Sequence, residues 1–141
     1  MTELSLTVER VIGAAQSDLF NAWLDPKMLA KFMVPAQGVT VPHAANEPVE
    51  GGRFDILMRA GDDDLPHAGT YREITPHERI IFTWESPYSV DDSLVTLTFA
   101  PADAGTRVTL HHVRFANEEA RDSHNGGWTA ILGALAAEME A

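Results

Sequence analysis

The chain contains no cysteine. That excludes disulfides, thiolate nucleophiles and any zinc or iron–sulfur site built on sulfur. No apolar run approaches the ~20 residues that a membrane-crossing helix needs. Met1 to Glu9 carry neither the basic flank nor the apolar core of a secretory signal. Together with the missing cysteine, this sets a cytoplasmic location as the expectation. Positive charge is also scarce: 10 Lys and Arg stand against 21 Asp and Glu, a formal net charge of −11. Phosphate backbones and anionic lipid would repel such a surface, so neither nucleic acid nor membrane is an expected partner.

Metal and phosphate motifs are missing too. His43, His67 and His77 are scattered, and no helix carries a His-x-x-x-His pair. Asp62-Asp63-Asp64 lacks the spaced ligands of a calcium loop and reads as a solvated hairpin tip. Gly51-Gly52 and Gly126-Gly127 lack the spacing of dinucleotide or phosphate loops. Arg53 and Arg59 share a polar strand face with Asp55, a solvated face by default. No metal and no cofactor is expected.

What the sequence does hold is a long amphipathic C-terminal stretch, Asn117 to Ala141. Asn117 is a good N-cap, with Glu118 and Glu119 in the first turn where the helix dipole favours them. Ala120, His124, Trp128, Ile131, Leu135 and Met139 recur at three and four, with Leu132 beside them. Such a helix would span roughly 36 Å, enough to cross a sheet. Gly126 and Gly127 interrupt it, at about 1 kcal/mol each against Ala. They read as a close backbone approach to the sheet or as a break; a continuous helix with a kink is expected.

Everything earlier reads as a wrapper for this helix. The 141 residues favour a single domain, 1–141, with one core. Leu4, Leu6 and Val8, then Val11 and Ile12, predict a first strand. Ser17 is placed to cap a helix over Asp18 to Leu24. Asp25-Pro26 starts a second short helix with Met28, Leu29 and Phe32 on its apolar side, and Pro35 stops it. Val39 and Val41 begin a strand that Pro42 interrupts. After Gly51-Gly52, Phe54, Ile56 and Met58 alternate with polar residues. Gly61 to Asp64 is a hairpin turn. Further strands are expected over His67 to Ile74, Ile80 to Trp84, Leu94 to Ala100 and Arg107 to Phe115. Strands joined by short turns imply an antiparallel meander with one apolar face, and only the last helix is long enough to cover it. The fold class is α+β.

Several phrases, in this order, resemble those of a known group. They are Phe20-Asn21-Ala22-Trp23 with Asp25-Pro26; Gly51-Gly52-Arg53-Phe54 with Met58; Gly69-Thr70-Tyr71-Arg72-Glu73-Ile74; and Pro76 with Glu78-Arg79-Ile80 and Phe82-Thr83-Trp84-Glu85. Val95 to Phe99, then Gly105 to Leu110 with His112, and His124 with Gly127-Trp128 complete the set. The chain resembles the START-like or SRPBCC superfamily, and within it the activator of heat-shock protein 90 ATPase homologues in their small stand-alone bacterial form. Two phrases depart: Phe32-Met33-Val34-Pro35 stands where the family often has Trp-Trp-Gly-Pro, and Val113-Arg114 precedes Phe115.

The resemblance implies a helix-grip fold, an antiparallel sheet wrapped around the long C-terminal helix, with two short helices between strands one and two. It also implies a cavity between sheet and helix that often holds an apolar or aromatic ligand. The residues expected to line it are Met33, Phe54, Met58, Tyr71, Trp84, Leu97, His112, His124, Trp128 and Ile131. Periodicity alone would make the aromatic members plain core. His112 and His124 admit two readings: ligand contact or general base near neutral pH, or buried rings satisfied within the core. Ligand binding is the first functional expectation. Contact with a chaperone is the second, and a cyclase- or hydrolase-like enzyme using cavity histidines the third. Small members of this fold often pair, which makes a homodimer a further expectation.

Overall fold

The computed structural model describes residues 4–140. The element order is β1 (Ser5–Ile12), α1 (Gln16–Ala22), α2 (Pro26–Phe32), β2 (Val39–Asn46), β3 (Arg53–Ala60), β4 (Asp63–Thr75), β5 (Arg79–Thr83), β6 (Leu94–Ala102), β7 (Gly105–Val113) and α3 (Glu118–Glu140). All seven strands form one antiparallel sheet in the order β1-β7-β6-β5-β4-β3-β2. The expected meander is there, with β1 closing it against β7.

Period-two alternation decides which face is covered. Phe54, Ile56 and Met58 on β3, Ile80 and Phe82 on β5, Val95, Leu97 and Phe99 on β6, and Val108 and Leu110 on β7 are all buried. From the other side come Trp128, Ile131, Leu132, Leu135 and Ala136 of α3, with Leu19 and Phe20 of α1 and Leu29 and Phe32 of α2. The opposite face of the sheet carries ion pairs such as Arg53 with Glu85 and Arg59 with Asp64.

Bulges curl the sheet around the helix. Register shifts occur in β2 between Thr40 and His43, and between β4 and β5 at Tyr71 to Glu73, and each adds local bend and twist. The interruption expected at Pro42 is this shift in register, and β2 runs on through it to Asn46. β2 is the edge strand, and an edge bulge tolerates a residue that cannot donate to the ladder. At Gly69 the packing leaves no room: a Cβ there would lie 2.0 Å from Thr83 O and 2.4 Å from Phe54 Cε2.

Two local expectations need correction. The first helix starts at Gln16 and ends at Ala22, and Ser17 is not its cap; Ala15 stands at that position with no side-chain cap. Gln16 instead sends its amide across to Phe99 O at 3.1 Å and to His77 O, which fixes the helix start by tertiary contact. β4 also begins earlier, at Asp63, so the turn is only Gly61-Asp62, between the paired Ala60 and Asp63. Asp64 is inside the strand and accepts from Arg59 Nε at 2.7 Å.

α2 starts as read from the sequence, with Asp25 Oδ1 accepting from Lys27 N at 2.9 Å and Pro26 in the first turn. α3 is one continuous helix across its glycines. Asn117 Oδ1 caps it by accepting from Ala120 N at 2.8 Å. At its far end Glu140 Oε2 accepts from Gly13 N at 2.8 Å. No helix among the described residues is long and apolar enough to cross a membrane.

Candidate ligand-binding pocket

The interior between sheet and helices is not filled evenly. Beneath α1 and α2, Trp23 and Phe32 meet edge to face at 4.9 Å, and Phe54 lies 5.4 Å from Tyr71 and 5.3 Å from Phe82. Only about 10 Å³ of space remains among Trp23, Met33, Phe54 and Tyr71, at most the room of a single water. Tyr71 is held there by Asn46, whose Nδ2 donates to the phenol oxygen at 3.0 Å and to Leu24 O at 2.8 Å. Burial pushes the Tyr71 phenol pKa up, and the Asn46 bond partly offsets this.

Under the first turns of α3 the packing opens. A pocket of about 560 Å³ lies between that helix and the strands below it. α3 contributes Ala120, Ser123, His124, Gly127, Trp128 and Ile131, a set at three- and four-residue spacing and so on one face. The sheet contributes Met58 from β3 and Leu65 and His67 from β4. Met58 and Leu65 are directly paired across the two strands, and His67 faces Ile56. Trp84, just past β5, forms the back wall, its ring 4.8 Å from Trp128 and 4.9 Å from His67. Tyr88, Pro35 and the exposed Glu119 stand at the rim.

Gly127 brings α3 close to Pro35 at the pocket rim. A Cβ there would stand 3.2 Å from Pro35 Cβ, whereas one at Gly126 would meet nothing within 4 Å. The close approach expected at the glycines is real, but it is made to the segment after α2 and not to the sheet.

The histidines divide into two kinds. His112 is sealed in the core at 0% exposure. Its Nδ1 accepts from Trp128 Nε1 at 3.0 Å, and its Nε2 lies 2.6 Å from Ser93 Oγ. An indole nitrogen only donates, so Nδ1 is bare and the ring proton sits on Nε2, directed at Ser93. Burial, with smaller contributions from His124 and His111, holds its pKa down to about 3. The Ser93–His112 pair looks like a nucleophile and its base, but in this tautomer Nε2 cannot take the serine proton. His112 is a structural ring.

His67 and His124 have the opposite arrangement. His67 Nδ1 lies 2.9 Å from Leu65 O, and His124 Nδ1 lies 2.8 Å from Ala120 O. A carbonyl only accepts, so each Nδ1 carries a proton, and in the neutral form of either ring Nε2 is a bare acceptor. Burial pulls the His67 pKa down to about 4; the Leu65 carbonyl partly opposes this and His124 adds to it.

Of the residues expected to line a cavity, Met58, Trp84, His124, Trp128 and Ile131 surround this pocket. Met33, Phe54 and Tyr71 border the 10 Å³ remnant, and Leu97 and His112 are fully buried away from both. His112 meets the pocket lining from behind, through Trp128 and through His124, whose ring lies 5.4 Å away edge to face. The main residue not anticipated is His67. Its signal was present: it stands four residues before Tyr71 on one strand, hence on the same face. No group of three or more His, Asp or Glu among the described residues is placed to hold a metal ion.

Comparison with known proteins agrees with this architecture. A crystal structure of a protein from Chromobacterium violaceum superposes with a TM-score of 0.86 at 25% identity, over 97% of both chains. The AHSA1 protein from Silicibacter pomeroyi gives 0.80 at 28% identity, over 97% of this chain and 98% of that one. The solution structure of the AHSA1-like protein from Aeromonas hydrophila gives 0.83 at 23%, over 97% and 92%, a likeness of fold alone. No curated protein matches in sequence. The profile described as Activator of Hsp90 ATPase homolog 1-like protein matches residues 14–140. A seven-stranded antiparallel sheet gripping a long terminal helix, together with a profile match over nearly its whole length, places this chain in the Activator of Hsp90 ATPase homolog 1-like family.

Proposed function

We propose that this domain is a receptor for a small apolar or aromatic molecule held between the sheet and the first turns of α3. One observation carries the reading: an open space of about 560 Å³ walled by Met58, Leu65, Trp84, Trp128 and Ile131. Its size is that of small-molecule sites, about 300–1,000 Å³, and so is its mix of apolar walls with few polar groups. A cytoplasmic location, in keeping with a chain free of cysteine, is part of the same proposal.

Binding is tested by titrating a varied set of aromatics and lipids while following melting temperature and the Trp128 indole resonance. Saturable binding by some member is expected. Ser123→Trp, on an exposed position at the pocket's helix wall, should abolish it without lowering the melting temperature by more than a few degrees. If no member of the set moves either signal, the receptor reading fails.

The chaperone contact in the family's description rests on that description alone. The exposed large hydrophobics among the described residues are Val11, Val49 and Tyr88, on three separate segments. The enzyme reading keeps a single support, the two bare imidazole nitrogens of His67 and His124 at the pocket. Chemical conversion of a bound ligand, abolished in His124→Phe, would favour it.

A further inference from the structure

Resting on the pocket reading above, we infer that the ligand presents hydrogen-bond donors, O–H or N–H groups on an aromatic or other apolar body, and carries no carboxylate. The polar side chains of the pocket offer more acceptors than open donors. His67 on β4 and His124 on α3 both line it, and backbone carbonyls have already consumed the Nδ1 proton of each. What either ring still offers in its neutral form is a lone pair at Nε2.

Both lone pairs are available. Neither Nε2 has a hydrogen-bond partner among the described residues, and the only sealed, unpartnered side-chain nitrogens and oxygens there are the indole N–H groups of Trp23 and Trp84. The two Nε2 atoms therefore keep some open surface. Since burial holds the His67 pKa to about 4, that ring remains an acceptor across the neutral range.

The charges point the same way. No Lys or Arg lines the pocket, and its one charged lining residue is Glu119, in a chain of net charge −11. A carboxylate there would face acceptor nitrogens and the like charge of Glu119 with no Lys or Arg to compensate, and only the Asn117 amide and the partial positive end of α3 would favour it. An O–H or N–H donor would pair with groups that are otherwise left to water. The Trp84 and Trp128 rings, 4.8 Å apart, both line the pocket, and contact with an indole π-face favours the electropositive edge of an aromatic ring or an ammonium group. The Ser123 and Tyr88 hydroxyls both give and accept; the donors on the lining are the Asn117 amide, whose Oδ1 is taken by Ala120 N, and the sealed indole N–H of Trp84, against the two imidazoles and Glu119 as acceptors.

The test uses one skeleton with four ends: 2-(1-naphthyl)ethanol, 2-(1-naphthyl)ethylamine, 1-naphthylacetate and 1-ethylnaphthalene. Each is titrated into the full chain by NMR. The alcohol and the amine are expected to bind at least about tenfold more tightly than the carboxylate, as expected when an anion meets uncompensated acceptors. In the double variant His67→Phe/His124→Phe, their advantage over the hydrocarbon should shrink to about twofold or less while the hydrocarbon still binds. If the double variant does not fold, His124→Phe alone, at a partly exposed helix position, should halve the advantage or more. A carboxylate binding as tightly as the alcohol overturns the donor rule and leaves the receptor reading in place. Donor preference surviving in the folded variant overturns the assignment to these imidazoles. Failure of all four compounds, the hydrocarbon included, overturns both readings.

Discussion

Trp128 Nε1 donates to His112 Nδ1 at 3.0 Å, a bond from the long helix into the sheet with both residues almost fully buried. It does two things at once. It satisfies an indole N–H that the helix could not satisfy itself, and it fixes the imidazole tautomer so that Nε2–H reaches Ser93 in the loop after β5. Helix, strand β7 and loop are joined at one ring. His112→Leu would strand the indole donor and the serine hydroxyl together. The expected loss is about 2–4 kcal/mol, from two unsatisfied buried groups plus imperfect packing. Urea unfolding midpoints at neutral pH measure it.

Acid should unfold this protein through the same ring. The folded pKa of His112 is held at about 3, against an ordinary value of 6.5. Between those two values the unfolded chain binds a proton that the native state refuses, so stability rises with pH across that window. The contribution is complete above about pH 6.5 and is lost progressively as pH falls toward 3, by up to about 1.4 kcal/mol per pH unit. His67, held at about 4, acts in the same direction over a narrower window. Stability of the native protein measured from pH 7 to pH 4 should therefore fall more steeply than that of His112→Leu over the same range.

The two adjacent glycines of α3 should respond in opposite ways. A Cβ at Gly126 meets nothing within 4 Å, while one at Gly127 meets Pro35 Cβ at 3.2 Å. Neither has a positive φ, so alanine is conformationally allowed at both. Gly126→Ala should gain about 0.5–1 kcal/mol from helix propensity alone. Gly127→Ala should gain less, because the segment after α2 must shift outward, and should also alter the pocket rim that Pro35 forms. The difference in melting temperature between the two variants reads this directly.

The fold was legible in the sequence because its strands alternate cleanly and its last helix carries a full apolar stripe. Phe54-Ile56-Met58 and Trp128-Ile131-Leu135 needed no context to be assigned. What failed locally failed for tertiary reasons. Ser17 is a good cap by propensity, but Gln16 binding Phe99 O and His77 O sets the start of α1. Pro42 interrupts the ladder as read, but only as a bulge, because β2 is an edge strand. The site was half legible. Period two places Tyr71 and Trp84 inward but does not say which inward residues meet each other and which meet space. Tyr71 and Met33 fell at the packed end, while Trp84 and Trp128 fell at the open one. That partition depends on where α2 crosses the sheet and on Gly127 admitting Pro35, distances that no one-dimensional pattern encodes.

Trp84 gives the sharpest contrast with Trp128. Both indoles line the pocket, and both are buried at 3% and 2% exposure, yet Trp84 Nε1 has no hydrogen-bond partner among the described residues. Its ring is held by packing alone, against Trp128, His67 and Phe82 at 4.8, 4.9 and 6.2 Å. Replacing it by Phe removes an unsatisfied donor as well as ring volume, and the two effects oppose each other. Trp84→Phe should therefore change stability by no more than about 1 kcal/mol. Trp128→Phe removes similar volume but leaves His112 Nδ1 as a buried acceptor without a donor, and should cost about 1–3 kcal/mol more. If urea unfolding shows Trp84→Phe to be the more damaging change, the indole of Trp84 has a partner in solution that its packing conceals. The pocket it borders would then be the first place to look for that partner.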